Sequence, residues 1–96
     1  MGSYMIFDMD FKTKKDRLGF EKYLTKKHIQ QKKLTRYHED GEWCMEIVVY
    51  YVGYLGYAEP EIILKDCLKD KIGITFMASL CLSDRTSEWE KIRGRW

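Results

Sequence analysis

The 96-residue chain is 45% hydrophobic and 33% charged, a globular balance that excludes intrinsic disorder. It is read as one domain, residues 1–96, which leaves no room for a two-domain enzyme. The net charge of +2 is too small to imply a polyanionic partner by itself.

Cys44, Cys67 and Cys81 are widely spaced and form no CxxC pair, so neither a disulfide scaffold nor a structural zinc site is expected. A reducing, cytoplasmic setting is the expectation. No apolar run approaches the roughly 18 residues of a membrane span, and no basic-then-apolar signal layout opens the chain. Met1-Gly2-Ser3 reads as a cloning remnant before a native start at Met5.

Ser3–Phe11 alternates as a strand. Met5, Phe7, Met9 and Phe11 fall on one face, and Tyr4, Ile6, Asp8 and Asp10 on the other. Thr13, with Asp16 three residues on, caps a helix from about Lys14 to Lys27 whose stripe is Phe20, Tyr23, Leu24 and the stem of Lys27. His28 ends that helix, where its charge suits the dipole. Ile29–His38 has weak strand character. Asp40-Gly41 then signals a two-residue type I′ hairpin into Trp43–Val52, the clearest strand in the chain.

Counting out from that turn pairs Glu39 with Glu42, His38 with Trp43, Tyr37 with Cys44, Arg36 with Met45, Thr35 with Glu46 and Leu34 with Ile47. The face of Leu34, Arg36, His38, Trp43, Met45, Ile47, Val49 and Tyr51 is assigned to the core, and the face of Lys33, Thr35, Tyr37, Cys44, Glu46, Val48 and Tyr50 is left open. This puts His38 and Cys44 on opposite faces and disfavours a Cys–His nucleophile pair. His38 and Trp43 become a packed pair at the rim.

Gly53–Tyr57 is a glycine-punctuated connector. Glu59-Pro60-Glu61 opens a second helix striped by Ile63, Leu64, Cys67, Leu68 and Ile72, with Gly73 at its C′ position. Ile74–Leu82 reads as a strand with Ile74, Phe76, Ala78, Leu80 and Leu82 on one face. Ser87-Glu88-Trp89-Glu90 looks like a capping box for a short terminal helix. The succession β-α-β-β-α-β predicts an α+β, ferredoxin-like sandwich. Two helices would cover one face of a four-stranded antiparallel sheet, with a short C-terminal helix added.

Charge is segregated along the chain. Nine basic residues, Lys12, Lys14, Lys15, Arg17, Lys22, Lys26, Lys27, Lys32 and Lys33, face only Asp16 and Glu21, so this segment is +7 and the remainder −5. Such a run suits phosphate contact, and an acidic protein would satisfy it equally. Tyr37, Val48, Tyr50, Val52, Tyr54, Tyr57, Trp89 and Trp96 form an aromatic and apolar surplus that so small a core cannot absorb, which points to an interface and a homodimer.

Asp8-x-Asp10 places two carboxylates on one side of the first strand, and Glu46 on the neighbouring strand adds a third oxygen donor suited to Mg²⁺. Ile6–Asp10 resembles the first motif of the haloacid-dehalogenase-like phosphatases, but Phe11 and Lys12 replace the small residues that should follow, and that family is rejected. Met5–Asp8, Thr13–Arg17 and Phe20–Gln30 are similar to the start of the small CRISPR adaptation nucleases and of the virulence-associated protein D toxins. That resemblance implies a ferredoxin-like homodimer in which two copies of Asp8 bind Mg²⁺ for phosphodiester cleavage.

The leading expectation is a small homodimeric binding module contacting nucleic acid, or a protein that handles it, through the basic segment. The alternatives are the Mg²⁺-dependent nuclease, with Asp8 as metal ligand, and a small inhibitor or accessory protein of the kind viruses and mobile elements carry.

Overall fold

Two-residue alternation at the N-terminus builds β1 (Ser3–Phe11), with Met5, Phe7, Met9 and Phe11 buried. The computed structural model describes residues 3–51, 59–82 and 88–95. After β1 come α1 (Lys14–Lys26), β2 (Gln31–Glu39), β3 (Glu42–Tyr51), α2 (Pro60–Lys69), β4 (Ile74–Cys81) and β5 (Glu90–Arg93). The strands form one five-stranded sheet in the order β2-β3-β1-β4-β5, with every neighbouring pair antiparallel. The fold is α+β.

Both helices lie on the same face. Phe20, Tyr23 and Leu24 of α1 and Ile63 and Cys67 of α2 share one core with Phe7, Met9, Phe11, Met45, Ile47, Val49, Ile74 and Met77 of the sheet. The helices also touch through polar atoms, the Tyr23 hydroxyl donating to Asp66 Oδ2 at 2.8 Å. Burial, followed by that bond and the Asp66 charge, raises the Tyr23 phenol above its ordinary value. Among the described residues, no helix covers the opposite face.

The hairpin register agrees with the count from the turn at all six pairs, from Glu39–Glu42 to Leu34–Ile47. Asp40 and Gly41 both take positive φ, 52° and 78°, as a type I′ turn requires. In such a turn the second pair outward is a non-hydrogen-bonded one, where side chains approach most closely. That pair is His38–Trp43, and its rings stack at 4.2 Å between centroids and 8° between planes.

The two helices end alike. The Ile29 amide donates to the Leu24 carbonyl and the Ile72 amide to the Cys67 carbonyl, both at 2.9 Å, so each helix closes in a Schellman motif. The left-handed residues are His28 (φ 56°) and Lys71 (φ 62°), and each is followed by a buried isoleucine. The expectation of Gly73 at C′ is therefore corrected to Lys71. Gly73 has a different task. Its amide donates to Asp16 Oδ1 at 3.0 Å, and its carbonyl accepts from the Lys12 amide at 3.0 Å. A Cβ there would lie 2.9 Å from Asp16 Oδ2. Asp16 also accepts from Thr13 Oγ1 at 2.8 Å, and its own amide donates back to that hydroxyl at 3.1 Å, which is the anticipated cap.

Three further expectations are corrected. The alternation of β4 breaks at a register shift beside Asp10 and Phe11. Ile74 and Met77 therefore face the core while Phe76, Ala78 and Leu80 pair with Asp10, Asp8 and Ile6 on the open side. The buried stripe of α1 contains Arg17 in place of Lys27, which is exposed, and Leu68 of the α2 stripe is exposed too. The C-terminal segment pairs as β5 on the free edge of β4 rather than forming a helix. A four-residue helix would have few internal hydrogen bonds, whereas the β4 edge supplies partners at once. Gly94, at φ 94°, allows the close approach, since a Cβ there would meet the Thr75 carbonyl at 2.7 Å. Ser87, the connector Gly53–Tyr57, and the interface candidates Val52, Tyr54, Tyr57 and Trp96 lie outside the described residues.

Candidate nucleic-acid interface

Of the nine basic residues between Lys12 and Lys33, eight are exposed: Lys12, Lys14, Lys15, Lys22, Lys26, Lys27, Lys32 and Lys33. Arg17 is the exception. It is buried, and its Nη1 donates to the backbone carbonyls of Tyr37 at 3.1 Å and Cys44 at 3.2 Å. It fastens α1 to the hairpin, so two of its donor bonds are spent within the fold. The helical stripe passes through position 17, so burial there forced the guanidinium to find acceptors.

The exposed lysines do not form one even field. Lys26 and Lys27 share a hollow with Asp66, Lys69 and Asp70, which offsets their charge. Lys14 and Lys15 instead border a groove of about 390 Å³ beside α1, walled by Leu18, Arg17, Glu21 and Arg36. Arg36 forms an ion pair with Glu21. Lys32 sits at a bulge in β2, with its Nζ 4.3 Å from the Tyr4 ring centroid; that ring in turn lies 5.3 Å from Tyr50. Basic side chains thus wrap the edge strand β2 from the helix side to the open face.

Arg36 and Leu18 border the groove beside α1, and His38 is exposed beside Trp43; the charge count did not single out any of the three. Arg36 and His38 alternate on one side of β2, a signal present in the hairpin register but masked by assigning that whole side to the core. The side is indeed the helix side, but β2 is the outermost strand, and Arg36 and His38 are exposed on it.

On the open face, Asp8 and Asp10 stand beside each other on β1, with Glu46 opposite Asp8 across to β3. Asp8 and Asp10 line a hollow of about 320 Å³ together with Tyr37, Glu39, Asp40, Glu42, Cys44, Phe76 and Arg95. The Tyr37 hydroxyl donates to Asp8 Oδ1 at 2.9 Å, and burial together with that bond raises its phenol above the ordinary value. Burial also lifts the Asp10 carboxyl; Cys44 opposes this by hydrogen bonding, and the charges of Asp8 and Glu42 reinforce it. Burial and then Asp10 push the Cys44 thiol up to about 12, which leaves it protonated and poorly nucleophilic at neutral pH. No group of three or more His, Cys, Asp or Glu among the described residues is arranged to hold a metal ion, so the structure does not assemble Asp8, Asp10 and Glu46 into a ligand set. Of the anticipated interface residues, Tyr37 and Val48 are partly exposed on this face, Tyr50 is exposed there, and Trp89 is exposed just before β5.

No family model matches the chain, and neither the curated proteins nor the solved structures include a significant match. No helix among the described residues is long and apolar enough to cross a membrane.

Proposed function

We propose that the chain is a ferredoxin-like binding module, extended by a fifth strand, that acts as a homodimer and binds nucleic acid through its α1–β2 flank. The strand order β2-β3-β1-β4 with both helices on one face supports the fold reading. The observation that carries the binding reading is the band of exposed Lys14, Lys15, Lys22, Lys32 and Lys33 around one helix and the edge strand next to it. A polyanion that neutralises these charges releases its own condensed counterions, so affinity follows from charge placement without sequence readout. Ile6, Val48, Tyr50 and Leu80 supply the open sheet face with an apolar patch on which a second copy would pack.

The test is titration of labelled oligonucleotide at increasing salt. The logarithm of the binding constant should fall linearly with the logarithm of salt concentration. Replacing Lys14 and Lys15, or Lys32 and Lys33, by Glu should weaken binding roughly tenfold or more and flatten that slope. Replacing Lys26 and Lys27, whose charge Asp66 and Asp70 offset, should matter less. Absence of binding at about 50 mM salt would refute the reading. Co-purification with a large protein in its place would favour an accessory role.

A further inference from the structure

We infer that the nucleic acid bound here is single-stranded, and that one of its bases stacks on the exposed ring of His38. This rests on the nucleic-acid reading above and names the form of the ligand. His38 lies flat on Trp43, 4.2 Å away and within 8° of parallel, so one face of the imidazole is occupied and the ring is held in a fixed plane. Yet His38 is an exposed residue on the outermost strand and is not part of the core.

The indole against which it lies is flanked by cations. The Arg17 guanidinium lies 5.4 Å from the indole centroid and is itself held by two backbone carbonyls. Lys14 Nζ lies 5.8 Å from the same centroid and also borders the groove of Lys15, Leu18 and Arg36. A flat ring offered to solvent therefore stands beside cations spaced along a partly apolar channel. Base stacking on aromatic rings, with phosphates tracked by lysines, is how single strands are held without sequence preference. A duplex cannot use such a ring, because its bases already stack on one another.

The experiment compares an oligothymidylate, an abasic phosphodiester of equal length, the corresponding duplex and heparin, all by fluorescence anisotropy. The oligothymidylate should bind at least about fivefold tighter than the abasic strand. His38→Ala should abolish that advantage while leaving heparin and abasic affinity unchanged, and His38→Phe should restore it. Equal affinity for thymidylate and abasic strands, tighter binding of the duplex, or a His38→Ala loss that extends equally to heparin would each overturn the stacking role. Failure to bind any of the four overturns the nucleic-acid reading as well, so the two failures are distinguishable.

Discussion

Asp16 shows how one carboxylate joins two distant parts of the chain. It caps α1 through Thr13 and accepts the Gly73 amide, so the start of the first helix is tied to the turn that follows the second. Desolvation alone would raise its carboxyl, but the bonds from Gly73 and Thr13 and the charge of Lys12 outweigh it and hold the group below the ordinary carboxylate value. A depressed carboxyl stabilises the fold fully above the unfolded value of about 3.9, and that contribution disappears as pH falls through the lower folded value. Asp16→Asn lacks this component. Urea midpoints measured between about pH 4 and pH 2 should therefore fall less steeply for the variant than for the parent chain. Parallel curves would show that Asp16 is not linked to acid unfolding. The cap could be read from Thr13 and Asp16 alone, whereas the Gly73 partner, 57 residues away, could not.

At the scale of elements, the paired helix ends carry the clearest consequence. His28 and Lys71 occupy left-handed backbone that glycine adopts without a Cβ penalty. Lys71→Gly and His28→Gly should each stabilise the chain by about 1 kcal/mol, with additive effects because the sites are separate. The check is a higher urea midpoint at unchanged slope; a lower midpoint would mean that the side chains contribute more than the backbone strain costs. Element identity was legible wherever local signals were strong: Asp40-Gly41 set the register, Pro60 opened α2, and alternation marked β1 and β3. The misreadings of the strands share one cause. The face reversal in β4 and the formation of β5 both depend on a neighbouring strand, through a bulge against β1 and an open ladder on β4. β1 lies at the other end of the chain from β4, and although β4 directly precedes β5, nothing in the local pattern of Glu90–Arg93 assigns it to that edge.

For the whole molecule, the sheet has one face sheltered by two helices and another lined by Tyr4, Ile6, Val48, Tyr50, Leu80 and the acidic hollow. The proposed homodimer uses that second face. Light scattering should give twice the chain mass, and Tyr50→Glu should halve it while leaving the thermal transition of the monomer fold intact, since Tyr50 lies outside the core. A monomeric parent chain would remove the dimer from the proposal and leave the α1–β2 flank untouched. The lysines of β2 have a second effect at this scale, because charged side chains on an edge strand discourage strand addition by other molecules.

Local chemistry was enough to specify the helices, the first four strands, the hairpin register and the uneven charge, because each follows from residues within a few positions of one another. Long-range packing settled which charges remain available. It buried Arg17 against two carbonyls, paired Arg36 with Glu21, and left His38 exposed although its face of the hairpin is the core side. Those outcomes depend on contacts between α1 and the hairpin, which join residues too far apart in sequence for a local pattern to encode.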